Sequence, residues 1–283
     1  MALPDNFDLN RFVKDVLAED LGNGGDVTSA GTIAADARFT AEMNARQPIV
    51  VAGIEIAAAF FRTMEAEVEI EALAADGERV GAGAVLLRLS GNARAMLTAE
   101  RSALNTLQHL SGIATLTRQY VDAIEGTGAV VLDTRKTIPG LRALDKFAAR
   151  MGGAQNHRMR LDDGVLIKDN HVAVCGGVAE AVRRAKAANT GLQIQVEVDR
   201  IEQIEPALAA GAERLLLDNM DPAMLREAVR VAAGRVPLEA SGGVTLQTIR
   251  SLAETGVNFI SVGRITQSAP AVDIGLDYSL QQG

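Results

Sequence analysis

The sequence predicts an α/β protein in which an N-terminal α+β domain is followed by a C-terminal (β/α) barrel. The chain has 283 residues, 48% of them hydrophobic, which is enough for one large α/β domain or two smaller ones. The hydrophobic pattern changes near residue 120. Mixed elements precede this point, and short apolar runs alternating with amphipathic helices follow it, so we expect two architectures in one chain.

The first part of the chain contains strand and helix signals typical of an α+β domain with antiparallel pairing. The predicted strands lie at residues 39–45, 68–72 and 85–89, and the predicted helices at residues 53–64, 93–108 and 114–124. Val68, Ile70 and Ala72 alternate with glutamates, which is the pattern of a half-exposed strand. Ser111 and Gly112 are predicted to separate the last two helices.

The second part contains six nearly continuous apolar runs, which predict parallel strands buried on both faces. They lie at residues 129–132, 165–167, 194–196, 215–217, 238–240 and 259–262. Strand–helix units at this spacing form either a (β/α) barrel or a doubly wound sheet. Polar residues or glycines follow the runs, at Asp133, Lys168, Glu197, Asp218, Ser241 and Gly263. Because a barrel brings several strand ends to one mouth, whereas a doubly wound sheet concentrates its site at one switch point, this pattern favours the barrel.

Composition excludes several classes of protein. The 36 Asp and Glu residues outnumber the 28 Lys and Arg residues, and there is no Trp, so a nucleic-acid partner is not expected. Cys175 is the only cysteine, which excludes an internal disulfide or a Cys-based zinc site and fits a reducing compartment. Residues 1–14 lack the pattern of a signal peptide, and no apolar run reaches the ~18 residues of a membrane helix. We therefore expect a cytoplasmic protein without a membrane partner.

A basic region within this acidic chain predicts a site for a small anionic substrate. Residues 133–171 contain eight Lys and Arg residues against five Asp residues. Arg135 and Lys136 directly follow a predicted buried strand, and His157 and Arg158 follow a glycine pair. The planar guanidinium group suits carboxylates and phosphates because it donates two hydrogen bonds at once.

Other members of the basic region and two isolated residues have structural interpretations. Arg142, Lys146 and Arg150 recur at helical spacing and predict a solvated helix face. His109 lies among apolar helix residues and is interpreted as structural, as is Cys175, which has no activating neighbour in the sequence.

Two carboxylates at successive strand ends, Glu197 and Asp218, are candidate ligands of Mg²⁺. This ion is typically held by one or two carboxylates together with water and substrate phosphates. Each carboxylate could instead pair with a neighbouring Lys or Arg, and the two interpretations are compatible.

A glycine-rich segment on the penultimate predicted strand is a candidate phosphate site. It consists of Ser241, Gly242 and Gly243, and Gly263 occupies a similar position after the last strand. The final loops of barrel enzymes often bind phosphate through backbone N–H groups. Ser-Gly-Gly alone is a weak signal that also fits an ordinary turn.

Several strings in the chain carry a resemblance to a known family. They are Glu19–Gly22, Asp26–Thr28, Glu100–Asn105, Asp133–Arg142, Asn156–Arg158, Ile167–His171, Val196–Val198, Leu217–Met220, Glu239–Gly243 and Ile260–Gly263. They cover nearly the whole chain in order, and the segments Asp133–Thr137 and Asn156–Arg158 are the most specific. On these residues the chain resembles the quinolinate phosphoribosyltransferases.

The resemblance implies a type II phosphoribosyltransferase architecture with three segments. Residues 1–118 would form an N-terminal α/β sandwich, residues 119–268 a partly open α/β barrel with the catalytic site, and residues 269–283 a tail packing back on the first domain. It also implies a homodimer, alone or within a higher assembly, in which the first domain covers the partner subunit's site.

The same resemblance implies a reaction and a set of site residues. Phosphoribosyl pyrophosphate and quinolinate would give nicotinate mononucleotide, pyrophosphate and CO₂ in NAD biosynthesis, with Mg²⁺ and no organic cofactor. Quinolinate would be held by Arg101 of the neighbouring subunit with Arg135, His157, Arg158 and Lys168. Phosphoribosyl pyrophosphate and Mg²⁺ would be handled by Lys136, Lys168, Glu197 and Asp218, with Lys136, Glu197 and Asp218 catalytic. Phosphate groups would be received by Ser241, Gly242, Gly243 and Gly263.

Two departures from the family pattern and three alternative functions stay open at this point. Ala154 stands where the family often has Gly, and Gln267 stands where it often has His. One alternative is a related enzyme that acts on another aromatic acid. Another is a barrel lyase with a Schiff base on Lys136 or Lys168, although it leaves the two carboxylates unexplained. The third is an inactive anion-binding protein.

Overall fold

A computed structural model of the chain describes residue 3 and residues 7–280, and it divides into two compact units. The first unit takes the described residues of Met1–Leu116, Ala143–Gly152 and Ser268–Gly283, and the second takes Thr117–Arg142 and Gly153–Gln267. The predicted first domain begins, and the predicted tail ends, at residues outside the described ones. Residues 143–152 join the first unit although they lie within the segment predicted as barrel.

The first unit is an α+β structure around an antiparallel sheet. Its elements are α1 (Leu9–Leu21), α2 (Val27–Thr32), β1 (Arg38–Ala45), β2 (Ile49–Val50), α3 (Ile54–Met64), β3 (Glu69–Ala72), β4 (Arg79–Val80), β5 (Val85–Asn92), most of α4 (Ala93–Ala123), most of α5 (Arg142–Met151) and β12 (Ile274–Leu280). Four strands form one sheet in the order β12-β1-β5-β3, and β2 pairs with β4. Strand β12, which comes from the C-terminal part of the chain, pairs antiparallel with β1.

The predicted interruption at Ser111 and Gly112 is wrong, because α4 is one continuous helix of 31 residues. Both residues pack closely instead of ending the helix. The Ser111 hydroxyl is fully buried and accepts the Ala52 backbone N–H at 3.0 Å. A side chain at Gly112 would overlap the backbone of Pro270. In the described part of the chain, no helix is long and apolar enough to span a membrane.

The predicted solvated face of α5 is also wrong. Lys146 and the neighbouring Asp145 have no exposed surface, and Arg150 is only partly exposed. Nε2 of His109 lies 2.8 Å from a carboxylate oxygen of Asp145. His109 therefore has the structural role expected for it, and α5 is held in the first unit by buried charged groups as well as apolar ones.

The second unit is a parallel sheet whose strands alternate with helices. Its further elements are β6 (Val130–Leu132), β7 (Val165–Ile167), α6 (Asp169–Cys175), α7 (Val178–Ala187), β8 (Ile194–Val198), a 3₁₀ turn (Ile201–Gln203), α8 (Ile204–Ala210), β9 (Arg214–Asp218), α9 (Pro222–Ala232), β10 (Leu238–Ser241), α10 (Ile249–Ala253), β11 (Phe259–Ser261) and α11 (Arg264–Gln267). The six strands form one sheet in the order β6-β11-β10-β9-β8-β7. All five strand pairs are parallel.

This strand order confirms the partly open barrel rather than a doubly wound sheet. From β7 to β11 each strand lies beside the next one in the sequence, and β11 pairs with β6, as in a ring. Over the residues that the structure describes, the ring stays open, because β6 and β7 form the two edges of the sheet. Apolar side chains of the central strands, such as Val196, Leu215 and Ile260, are fully buried.

A loop segment lies along the outer edge of β6. Gln155 forms a parallel bridge with Leu132, donates its backbone N–H to Val131 at 2.9 Å and accepts that of Asp133 at 3.1 Å. These hydrogen bonds fix the residues that follow, His157 and Arg158, beside the C-terminal end of the sheet.

Candidate active site

The second unit contains a cavity of about 710 Å³ at the C-terminal ends of its parallel strands. Eleven predicted site residues line it: Arg135, Lys136, His157, Arg158, Lys168, Glu197, Asp218, Ser241, Gly242, Gly243 and Gly263. The remaining one, Arg101, belongs to the first unit. Its side chain is exposed on α4 and has no hydrogen bond or ion pair with the residues that the structure describes.

Two arginines create a strong positive potential on one side of the cavity. Burial lowers the pKa of Arg158, and the charge of Arg135 lowers it further. Arg158 donates to the carbonyl oxygen of Gly164 at 2.8 Å. Within the described part of the chain, the Arg135 side chain has no hydrogen-bond or ion-pair partner. Two neighbouring guanidinium groups that lack an ion-pair partner among the described residues favour the binding of a negatively charged molecule.

Two lysines extend this basic surface from neighbouring strand ends. Lys136 follows β6, and the Thr266 hydroxyl holds its backbone by donating to its carbonyl oxygen at 2.7 Å. Gly263 leaves room for the Lys136 side chain, because a Cβ at this position would lie 2.9 Å from Lys136 Cδ. Lys168 follows β7, and its backbone N–H donates to Nδ1 of His171 at 2.9 Å.

The two candidate metal ligands lie at the ends of adjacent strands, Glu197 on β8 and Asp218 on β9. Burial raises the pKa of Glu197, and the charge of Asp218 raises it further. Burial also raises the pKa of Asp218, although the Asn219 amide donates to this carboxylate at 2.7 Å. Lys136 and Lys168 exert an attractive field, but no lysine is within ion-pair distance of either carboxylate among the described residues.

This carboxylate pair fits a metal that is bound jointly with a substrate. The described residues contain no group of three or more His, Cys, Asp or Glu side chains able to enclose a metal ion by themselves. A divalent cation would relieve the unfavourable ionisation of two half-buried carboxylates. Mg²⁺ commonly takes one or two carboxylates and completes its octahedron with water and phosphate oxygens.

The His157–Arg158 segment is fixed by a buried carboxylate at the end of β6. Asp133 has no exposed surface, accepts the backbone N–H of His157 at 2.8 Å and accepts the side-chain amide of Asn156. The Arg158 backbone N–H donates to Nδ1 of His157 at 2.7 Å. The sequence strings around Asp133 and Asn156 therefore form one hydrogen-bonded corner of the cavity.

Gly242 has a conformation and a close contact that require glycine. Its φ is +97°, in the region that side-chain-bearing residues rarely adopt. A Cβ there would overlap the side chain of Asn219, which itself has a positive φ of 54°. The backbone of Ser241–Gly243 can therefore approach a ligand closely.

Several residues around the cavity were missed by sequence reasoning. They are Thr134, Leu166, Leu216, Asn219, Glu239, Val244, Thr245, Ser261 and Arg264. Glu239 has no exposed surface and belongs to the floor of the cavity, where neighbouring side chains cover it. The available signal was a glutamate in the middle of an apolar run, because a charged residue inside a buried strand needs partners.

The two departures from the family pattern lie in different environments. Ala154 is buried, and its φ is not among the positive values, so no glycine is required there. Gln267 is exposed and lines the cavity close to Arg264 in sequence. Its amide can donate a hydrogen bond to a bound anion but cannot carry a charge.

Comparisons with known proteins find relatives over almost the entire chain. The family model described as "Quinolinate phosphoribosyl transferase, N-terminal domain" matches residues 26–111, and the corresponding C-terminal domain model matches residues 113–277. The nicotinate-nucleotide pyrophosphorylase (carboxylating) of Mycobacterium leprae is 44% identical over 270 residues, covering 94% of this chain and 95% of the relative. The probable enzyme of the same name from Bacillus subtilis is 39% identical, covering 98% of this chain and 95% of the relative. The crystal structure of nicotinate-nucleotide pyrophosphorylase from Ehrlichia chaffeensis superposes with a TM-score of 0.93 at 39% identity, covering 97% of this chain and all of that one.

Proposed function

The chain belongs to the quinolinate phosphoribosyltransferase family, and on that premise we propose how the cavity of its second unit performs the reaction of the family. The enzyme transfers the phosphoribosyl group of phosphoribosyl pyrophosphate to quinolinate and removes one carboxyl group. The products are nicotinate mononucleotide, pyrophosphate and CO₂. The protein is therefore a pentosyltransferase of NAD biosynthesis.

The observation that carries the assignment to this cavity is a pair of neighbouring arginines, neither of which has an ion-pair partner among the described residues. Quinolinate is a pyridine with two adjacent carboxylates, and Arg135 and Arg158 offer two guanidinium groups on one side of the cavity. With Lys168 they neutralise the dianion and fix the ring plane. Fixing the ring directs its nitrogen at the second substrate, which lowers the entropic part of the barrier.

Phosphoribosyl pyrophosphate occupies the part of the cavity that lies between the lysines and the glycine-rich segment. Lys136 and Lys168 supply positive charge for its pyrophosphate. The backbone of Ser241–Gly243 and of Gly263 receives phosphate oxygens at close range. Glu197 and Asp218 would hold Mg²⁺ next to the pyrophosphate. When bound, the metal neutralises negative charge on the leaving pyrophosphate.

In the first chemical step, the ring nitrogen attacks C1 of the ribose as the bond from C1 to the pyrophosphate oxygen breaks. Pyrophosphate leaves with the electron pair, so negative charge grows on its oxygens while positive charge grows on the ribose. The ammonium groups of Lys136 and Lys168 are already in place to stabilise the negative charge on the pyrophosphate oxygens. Such preorganised charges stabilise a transition state without reorganisation.

In the second step, the ring loses the carboxylate next to its nitrogen as CO₂. The ribosylated nitrogen is positively charged and stabilises the electron pair that stays on the neighbouring carbon. A proton from solvent then replaces the lost group. Because the substrate supplies its own electron sink, we propose no organic cofactor.

A turnover assay with quinolinate, phosphoribosyl pyrophosphate and Mg²⁺ tests the function directly. We expect equal amounts of nicotinate mononucleotide and CO₂. Nicotinate replaces quinolinate in a parallel reaction, in which mononucleotide without CO₂ would indicate a related enzyme for another aromatic acid. Trapping of a carbonyl substrate by borohydride on Lys136 or Lys168 would indicate the lyase, and no turnover at all would indicate an anion-binding protein.

The proposed assembly is a homodimer with shared sites. The first domain, residues 1–118, covers the site in the partner's barrel, residues 119–268, and supplies Arg101 to it. The tail, residues 269–283, packs back on the first domain. The exposed, unpaired side chain of Arg101 supports this arrangement. The lone cysteine supports the further proposal that the enzyme works in the reducing cytoplasm.

Mixing two inactive variants tests the shared site. In a mixed dimer of Arg101→Ala and Lys136→Ala, one of the two sites keeps both residues. We expect random exchange to restore about a quarter of the wild-type activity, because half of the dimers are mixed and each has one intact site. Each variant alone is the control. Mixtures as inactive as the separate variants would contradict a shared site.

A further inference from the structure

We propose that Glu239 is a positioning residue that holds the His157 ring in one orientation and thereby fixes the Arg158 backbone at the quinolinate site. The inference rests on the proposed function only in naming quinolinate as the bound anion. It goes further in giving His157 a role that does not need an N–H bond to the substrate.

Glu239 lies on β10 and has no exposed surface, yet four side chains converge on its carboxylate. One oxygen, Oε2, lies 2.8 Å from Nε2 of Gln195 on β8 and 2.7 Å from a guanidinium nitrogen of Arg214 on β9. Nε2 of His157 lies 3.4 Å from the same oxygen. The other oxygen accepts the hydroxyl of Ser261 on β11. A carboxylate with donors from three other strands has little freedom to move.

Arg214 keeps this carboxylate charged within the sheet. Its guanidinium group pairs with Glu239 and lies over the Phe259 ring, 4.0 Å from the ring centre. Burial alone would raise the pKa of Glu239, but the neighbouring His157 ring and the charge of Arg214 lower it below its usual range. The ionised carboxylate accepts hydrogen bonds only, so it demands a donor from the His157 ring.

The two nitrogens of the His157 ring are directed at protein groups. Nδ1 accepts the Arg158 backbone N–H at 2.7 Å, so in this arrangement the ring proton is on Nε2, the nitrogen that faces Glu239. The ring edge that reaches the cavity is therefore made of carbon. The anion-binding groups are the guanidinium groups of Arg135 and Arg158, and His157 links the Arg158 backbone to the Glu239 carboxylate.

The histidine content makes the ring state measurable. The chain has only three histidines, so ¹⁵N–¹H correlation spectra of the imidazoles are simple, and the His157 signals are assigned by their loss in His157→Asn. In wild-type protein without substrate we expect one His157 tautomer, protonated at Nε2. In Glu239→Gln we expect signals of a second tautomer, because an amide can donate as well as accept.

Kinetics then test whether the orientation matters for the substrate. We expect Glu239→Gln to raise the quinolinate KM about tenfold, while the KM for phosphoribosyl pyrophosphate changes less than about twofold. The matched control is Gln195→Met, which removes a donor from the same carboxylate oxygen without facing His157. It should leave the His157 signals and both KM values unchanged, even if it lowers the melting temperature.

The outcomes separate the inference from a structural role and from the proposed function. Folded Glu239→Gln with wild-type His157 signals and quinolinate KM would overturn the inference, as would Gln195→Met with the same rise in KM. If Glu239→Gln does not fold, His157→Asn decides, because Asn keeps an acceptor for the Arg158 N–H but does not reach Glu239. A wild-type quinolinate KM in His157→Asn would also overturn it. A wild-type protein that makes no nicotinate mononucleotide would refute the proposed function, while the tautomer measurement would still decide the positioning role.

Discussion

The sheet of the first unit and the cavity of the second unit use charged residues in opposite ways. In the first unit, Arg88 on β5 donates to Glu42 at 3.0 Å and to Glu71 at 2.6 Å, the residues that face it on the two neighbouring strands. In the second unit, Arg135 lies beside Arg158 without a partner anion in the described part of the chain.

Carboxylates show the same contrast. The hydroxyl and backbone N–H of Ser29 lower the pKa of Asp26 in the first unit. In the second unit, burial raises the pKa of Glu197 and of Asp218. The difference teaches that these charges of the first unit stabilise the fold, whereas the charged groups that line the cavity of the second unit lack such partners and are available to a ligand. A preorganised site of this kind lowers the stability of the unliganded protein.

The largest expected effect comes from removing an unpaired cation. We expect Arg135→Ala to lower kcat/KM for quinolinate about 100- to 1000-fold, as loss of a single preorganised charged contact does elsewhere. The melting temperature without substrate should stay the same or rise, because the repulsion of Arg158 is relieved. Steady-state kinetics and thermal denaturation of the same preparations measure both effects.

The control for this prediction is Arg88→Ala in the first unit. It removes a paired, exposed cation, so the kinetic constants should stay at their wild-type values while the melting temperature falls slightly. If Arg88→Ala reduced turnover, or if Arg135→Ala turned over quinolinate normally, the prediction that paired cations serve stability and unpaired cations serve substrate binding would be wrong.

A smaller effect is expected when a disfavoured carboxylate is neutralised. Asp218→Asn should raise the free energy of unfolding of the metal-free protein by about 0.5–1 kcal/mol near neutral pH, because a partly buried charge next to Glu197 is removed. Chemical denaturation in the presence of a chelator measures it. Asp221→Asn changes a carboxylate that caps α9 outside the cavity and serves as the control. A loss of stability in Asp218→Asn equal to that of the control would contradict the prediction.

The smallest expected effect concerns Asp26, which caps α2. Its folded-state pKa is lowered, so its contribution to stability is present above the unfolded pKa of about 3.9 and is lost as the pH falls through the lower folded value. The stability of Asp26→Asn should therefore depend less on pH than that of wild-type protein, with a difference below about 1 kcal/mol. Thermal denaturation between pH 7 and pH 2.5 measures it, and parallel curves for the two proteins would contradict it.

The strands of the second unit could be predicted from the sequence because buried parallel strands are continuous apolar runs. The predicted run at 165–167 coincides with β7, and the run at 238–240 differs from β10 by one residue. The two-residue strands β2 and β4 were not predicted, since two residues cannot show a period. Strand β12 was missed for another reason: its pairing with β1 depends on residues more than 200 positions away.

Local patterns failed where packing determined the outcome. Ser111 and Gly112 look like a helix break, but they lie inside α4. Small residues are needed at these positions because they pack closely against Ala52 and Pro270. Lys146 has the spacing of an exposed face and is nevertheless fully buried. A sequence pattern shows the hydrophobic period of a helix or strand. It does not show which face of that element another part of the chain will cover.

The residues around the cavity also divide into those that a sequence pattern predicts and those whose importance depends on packing. Those that follow strands, such as Lys136 and Asp218, could be proposed from position alone, because parallel strand ends share one edge of the sheet. Glu239 could not, since its importance arises from Gln195, Arg214 and Ser261 on other strands. Whether the proposed residues perform the roles assigned to them stays a prediction until the substitutions are made.

The segment around Gln155 has a consequence for the integrity of the molecule. An open sheet edge can recruit a strand from another chain and so begin self-association. Here the backbone of Gln155, two residues before His157, bonds the Val131 carbonyl oxygen of β6 and the N–H of Asp133, the residue that follows this strand. Proteolytic cleavage in the preceding glycine-containing turn would therefore have two effects. It would disorganise substrate binding, and it would expose a strand edge that can pair with another chain. Inactivation and aggregation of this enzyme would then share a single origin.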